Sequence, residues 1–192
     1  MGIQKFFQIF FRSIVIVLFA LILPTVSALA ETVVIKDCKV SFETSGEPVL
    51  IRILGKSDAI CEGKVTIDGS KISDSSFKLD LSKIDTGIQL RNKHLRQNYL
   101  HVDKFPSATF RITKIDDLDK QRAGTKKDPS PVEGELVLHG EKAAVSNGAY
   151  QFKGNRVTVT FDIDLPTWKV DRPSFMGVHI VDKVHLTIKF DI

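Results

Sequence analysis

Absences narrow the reading first. The 192 residues include two Cys and one Trp, and neither Cys lies in a C-x-x-C pair, so thiol redox catalysis has no support. There is no G-x-S-x-G elbow, H-E-x-x-H helix, G-x-x-x-x-G-K-S/T loop or Gly-rich dinucleotide turn, which removes the common hydrolase, metalloprotease, nucleotide-hydrolase and dehydrogenase signatures. The five His (His94, His101, His139, His179 and His185) contain no i,i+4 pair, the spacing at which one helix face holds a metal. His94 and His101 have no nearby Cys or second carboxylate to complete a ligand set. Asp162 and Asp164 alternate with apolar residues, so they are expected to face solvent rather than to form an acid/base pair. The expectation is a protein that is not an enzyme and carries no metal or other cofactor.

Charge is also scarce in net terms, with 27 Lys and Arg against 23 Asp and Glu. What is abundant is apolar and unevenly spread. Five of the 13 Phe (Phe6, Phe7, Phe10, Phe11 and Phe19) fall in the first 30 residues, beside the unbroken apolar run Ile14 to Leu23. Lys5 and Arg12 make a positive n-region, Pro24 breaks the helix, and Ala28-Leu29-Ala30 is an A-x-A cleavage box. Residues 1–30 are expected to be a signal peptide, leaving residues 31–192 as the exported mature domain. The alternative is an uncleaved anchor, but Ile14 to Ala30 is only at the bottom of the spanning range and an anchor has no use for the A-x-A box. Without the leader, 162 residues with a net charge of +2 remain. That size suits one hydrophobic core, and that charge gives no dense basic face for nucleic acid.

Export bears on the two cysteines. An oxidising compartment allows Cys38 and Cys61 to pair, closing a loop that contributes about 3 kcal/mol on the loop-entropy model. Two buried thiols are the alternative.

Period-two alternation recurs through the mature chain. Val34, Cys38, Val40 and Phe42 share one face of a first strand, with Lys36 fitting poorly, and that strand ends near Ser45-Gly46. An apolar run from Val49 to Leu54 follows, then Gly63, Val65 and Ile67 lead to a turn at Asp68-Gly69. Phe77, Leu79 and Leu81 alternate with polar residues, as do Ala108, Phe110 and Ile112. Leu136 and Leu138 flank Val137, and Val157, Val159, Phe161, Ile163 and Leu165 form the clearest set. Val184, Leu186, Ile188 and Phe190 close the chain. About eight such runs predict half-buried antiparallel sheet, as a sandwich or a closed barrel. Two stretches interrupt the pattern. Thr86-Gly-Ile-Gln89 resembles a capping box opening a short helix on which Ile88, Leu95, Tyr99 and Val102 share a face. Leu118 to Pro131, with Lys120, Arg122, Lys126 and Lys127, reads as a solvated hairpin loop.

The run Lys83 to Arg96, with Asp85-Thr86-Gly87 and Arg91-Asn-Lys-His94-Leu95, followed by Lys104-Phe105-Pro106-Ser-Ala108-Thr-Phe110, resembles the YceI-like family of exported bacterial proteins. Gly134 to Gly140 is similar to the family's G-x-L-x-x-x-G strand, and Val178 to Phe190 to its closing strand. The opening strand departs from the usual H-S-x-V/I-x-F, having Cys38 at the Ser position and no preceding His, and residues 43–62 are also unlike the pattern.

The resemblance implies an all-β fold, an antiparallel lipocalin-like β-barrel of about eight strands with a short helical loop. It also implies an isoprenoid ligand, a polyprenyl lipid or a quinone, held for sequestration or transport. Candidate lining residues are Val40, Phe42, Phe77, Leu79, Leu81, Phe110, Ile112, Phe161 and Ile163. Arg91 and His94 are the polar members. Arg91 or Arg96 is a candidate for a headgroup oxygen, against the structural role of pairing Arg91 with Asp85 or capping carbonyls in the helical loop. Trp168 reads as a packing anchor. The runner-up is an envelope-stress or interaction protein whose barrel is filled. A homodimer through strand pairing and a transient membrane contact through the Lys120–Lys127 loop are further expectations.

Overall fold

The computed structural model describes residues 30–48, 51–57, 61–175 and 177–192. The signal-peptide expectation for residues 1–30, apart from Ala30 itself, lies outside them, as do Val49 and Leu50. Eight strands close into an antiparallel barrel: β1 (Glu31–Glu47), β3 (Cys61–Asp68), β4 (Lys71–Asp80), β6 (Ser107–Ile115), β7 (Ser130–Leu138), β8 (Glu141–Lys153), β9 (Arg156–Asp164) and β12 (Lys183–Asp191). Hairpin neighbours pair in chain order, β12 pairs with both β9 and β1, and the β1–β3 ladder closes the ring. The β4–β6 ladder covers only Phe77–Asp80 of β4, and four short strands add to the ring. Those additions are β2 (Ile51–Ser57), β5 (Ile84–Asp85), β10 (Ser174–Phe175) and β11 (Val178–Ile180).

The alternation behaves as half-buried strands require. Val157, Val159, Phe161, Ile163 and Leu165 are all buried, and Phe77, Phe110, Ile188 and Phe190 join them. The first strand departs from a simple alternation. Ile35 is 2% exposed while Val34 is 65% exposed, because a bulge between Ile35 and Cys38 moves the register by one residue. A bulge sets two residues against one on the partner strand, so the inward series runs Ile35, Cys38 and then Val40 and Phe42. Val34 is therefore not on the inner face with Cys38.

Three rings lie against glycines of a neighbouring strand, Phe42 on Gly55 across the β1–β2 ladder being one. Phe77 faces Gly63 across the β3–β4 ladder, and a Cβ at Gly63 would sit 2.9 Å from that ring and 3.2 Å from the Ile35 side chain. Gly134 does the same for Phe110, where a Cβ would approach the ring to 2.5 Å. A glycine in mid-strand weakens the sheet, and here the missing side chain makes the room that the rings fill.

The two irregular stretches close opposite ends. Leu118 to Pro131 is not a solvated loop throughout: α2 (Leu118–Arg122; the preceding helix is α1, below) buries Leu118 and Gln121. The Gln121 amide donates to the Asp128 carbonyl and the Ser130 hydroxyl, and its oxygen accepts from the Phe152 N–H. Lys120 and Lys126 both bond to Asp117. Nearby, burial pushes the Tyr150 phenol well above its usual range, and its hydroxyl donates to the Asp116 carbonyl. This end is plugged.

At the other end β4 leaves the ladder at Asp80, makes a 3-10 turn at Leu81–Lys83, pairs β5 with β2, and continues as α1 (Gln89–His94) with a π turn over Leu95–Tyr99. Thr86 does not cap α1 as a capping box would. Ile88 is the residue before the helix, with no side-chain cap, and Thr86 is engaged by Arg91 and Asn92 instead.

Candidate functional site

The barrel interior is divided in two. Toward α1 lies a cavity of about 440 Å³, and toward α2 a void of about 30 Å³, with no residue lining both. The division falls at one level of the wall. Cys61, Phe77, Phe110, Phe161 and Ile188 face the large cavity, whereas Val65, Ile112, Val157, Val159 and Phe190 face the small void. The Phe110 and Phe161 rings stack with centroids 4.6 Å apart, and Phe77 meets Phe190 at 5.0 Å. At the same height Cys38 and Cys61 are joined by a disulfide between β1 and β3, with Cα atoms 4.9 Å apart. Just below, the fully buried Ser75 hydroxyl accepts from the Ile112 N–H at 2.7 Å and donates to the Ile112 carbonyl, stitching β6 to β4 where their ladder has stopped.

Of the residues singled out from sequence, Val40, Phe42, Phe77, Leu79, Leu81, Arg91, His94, Phe110, Phe161 and Ile163 line the large cavity. Ile112 does not: it lies beneath the aromatic layer, because β6 passes through that layer at Phe110 and its next inward residue falls on the far side. Sequence reasoning missed Ile51 and Ile53 on β2, Leu136 and Leu138 on β7, Val184, Leu186 and Ile188 on β12, and the Val178–Ile180 hairpin strand. The alternation of β7 and β12 was visible and would have pointed to them. Nothing in the alternation indicates that β2 and β11 extend the wall beyond the ring.

The mouth carries the polar groups. Arg91 Nε donates to the Thr86 hydroxyl at 2.8 Å and Nη2 donates to the Thr86 carbonyl. The Thr86 N–H and hydroxyl donate in turn to the Asn92 amide oxygen at 2.8 and 2.6 Å, and the Asn92 amide donates to Asp85. Arg91 therefore caps a carbonyl, and Asp85 takes Asn92 and the Gly87 N–H as its partners. Those two bonds hold the Asp85 carboxyl below the usual carboxylate range, the Gly87 N–H contributing most. Arg96 turns to the carbonyls of Ser82 and Ile84. Tyr99 ties the π turn to β10, donating to the Ser174 carbonyl and accepting from its N–H, both at 3.2 Å. Three apolar residues in the lining, Ile51, Ile88 and Leu90, are exposed, and they mark where the cavity reaches the surface.

His101 pairs with His139 rather than with His94. His139 Nδ1 lies 3.2 Å from the Trp168 carbonyl, which can only accept, so in a neutral ring its Nε2 accepts from His101 Nδ1–H at 2.8 Å. Trp168 is buried, with its indole N–H donating to the Leu136 carbonyl at 3.0 Å. These contacts fasten the chain after α1 to the β7–β8 turn. Among the described residues no three His, Cys, Asp or Glu side chains are grouped to hold a metal.

Comparisons with known proteins bear on the fold. A family model described as the YceI-like domain matches residues 34–192. BcnA of Burkholderia cenocepacia is similar in structure, with a TM-score of 0.60 at 18% identity over 80% of this chain and 94% of that one. A polyisoprenoid-binding domain from Saccharophagus degradans, implicated in plant cell wall breakdown, gives 0.58 at 16% identity over 84% and 99%. The YceI protein of Campylobacter jejuni gives 0.57 at 14% identity over 75% and 86%. No curated protein matches the chain.

Proposed function

As the chain belongs to the YceI-like domain family, we propose that it is an exported, periplasmic, non-enzymatic carrier that holds the tail of an isoprenoid lipid or quinone in the large cavity. The observation that carries this reading is the cavity itself. A volume of about 440 Å³ falls within the roughly 300–1,000 Å³ of small-molecule sites, and its lining is predominantly apolar. A filled barrel would have left no such space, so the observation favours the carrier over an interaction protein with a packed interior. Binding by such a lining rests on apolar burial, at about 25 cal/mol per Å² removed from water.

The polar groups at the mouth fit one end of such a ligand. A guanidinium has five N–H donors, and Thr86 takes two of those on Arg91, so a headgroup oxygen can be met by others without disturbing the loop. Exposed Ile51, Ile88 and Leu90 at the same mouth suit transient contact with a bilayer during loading. The basic Lys120–Lys127 loop lies at the plugged end, away from that opening, so the mouth is the better place for membrane contact. The similarity to the polyisoprenoid-binding domain supports the choice of ligand class.

Native mass spectrometry of the mature protein, purified from cells with their membranes, tests the reading. A co-purifying lipid of isoprenoid mass is expected. Its absence, together with failure to take up added prenol or quinone, would overturn it.

A further inference from the structure

The reading of the cavity as an isoprenoid site leaves the length of the bound chain open, and the partition of the interior bears on it. We infer that the cavity encloses only three to four isoprene units, and that the layer of Phe77, Phe110 and Phe161 with the Cys38–Cys61 disulfide is the stop that sets this length. The inference rests on the proposed function and goes beyond it.

Three observations support a stop rather than a soft end. No residue lines both spaces, and the void beyond the layer, about 30 Å³, has no room for a chain. Phe77 and Phe110 already lie against the backbones of Gly63 and Gly134, so neither ring can withdraw outward into the wall. The disulfide ties β1 to β3 at that same level, so the β1–β3 seam does not open there to let a tail pass.

The volume then sets the length. A dry protein cavity of about 150 Å³ takes one benzene, which is roughly 25 Å³ for each carbon. At that density about 440 Å³ holds on the order of 18 carbons, and an isoprene unit has five. Units beyond the fourth remain outside the mouth, beside Ile88 and Leu90, where they gain little burial.

The test is displacement of an environment-sensitive apolar dye from the mature protein by linear prenols of one, two, three, four and nine units, delivered on cyclodextrin. Affinity is expected to rise by at least roughly tenfold from one unit to three, and to change by less than about threefold from four to nine. A continued rise to nine units would overturn the stop while leaving the isoprenoid reading intact. Dye binding that no prenol of any length displaces would instead overturn the isoprenoid reading. Phe161→Ala removes one ring of the layer and is expected to move the plateau longer by about one unit. An unmoved plateau in a folded variant would show that the ring is not part of the stop. Should that variant fail to fold, Phe161→Leu makes the smaller deletion, and the wild-type series decides the chain length in either case.

Discussion

Arg91 holds Thr86 by both its hydroxyl and its carbonyl, five residues back along the chain, and the same guanidinium lines the cavity. The clasp turns the loop between β5 and α1 into a closed unit. Thr86 and Asn92 are buried in it with every polar atom paired, and the unit covers one side of the mouth. One side chain thus both fastens this cover and faces the cavity.

Arg91→Lys is expected to lower stability by about 1–2 kcal/mol, because a single ammonium cannot bridge hydroxyl and carbonyl as a planar fork does. Release of a bound apolar dye should also quicken. Urea denaturation and stopped-flow dye release check the two effects, and a variant unchanged in both would mean that the clasp does not restrain the cover.

Gly63→Ala is expected to cost about 1–3 kcal/mol, since the added Cβ would lie 2.9 Å from the Phe77 ring and must displace it. Combining it with Phe77→Leu should recover part of that loss. A double-mutant cycle in urea measures the recovery, and strictly additive effects would exclude a direct contact as the cause.

Replacing both Cys38 and Cys61 by Ser is expected to cost about 3 kcal/mol, from the 23-residue separation that the disulfide closes. Thermal melts of the variant and of the reduced wild type should agree. If the two melts differ, packing of the serines rather than loss of the cross-link is responsible.

Acid sensitivity should be traceable to Asp117. Hydrogen bonds from Lys120 and Lys126 hold its carboxyl down at about 2, against an ordinary value of 3.8. A carboxyl depressed in the folded state stabilises the protein above its unfolded value, and that contribution is lost as pH falls through the folded one. The stability gap between wild type and Asp117→Asn should therefore be constant above about pH 5 and shrink toward pH 2. Asn also tolerates the left-handed backbone at this position, where φ is 58°. Melting temperatures across that range test the trend, and a gap that does not narrow in acid would refute the assignment.

Particular elements show how far the sequence could be read. On β9, four inward residues at strict period two each find the core, because an uninterrupted strand alternates by geometry alone. On β1 the same rule misplaced Val34, since a bulge costs one residue of register and leaves only a weak mark, the poorly fitting Lys36. The stretch from Leu118 to Pro131 looks solvated by composition, yet it buries Gln121. Its three partners, Asp128 and Ser130 in the same stretch and Phe152 on β8, come together only when the stretch folds back onto the barrel, which composition does not record.

The sequence by itself determined that the chain is sheet, which face of most strands is apolar, and where a helical segment interrupts them. These are properties of neighbouring residues and of the two-residue period of a strand. Only the tertiary structure decided that the interior is hollow toward α1 and full toward α2. That outcome depends on which side chains from eight different strands arrive at one level: Phe110 and Phe161 meet across the barrel and Ile112 falls below them. No single strand's pattern contains that height, because it is set by register between strands, and register here passes through a bulge, a disulfide and two glycine-backed rings.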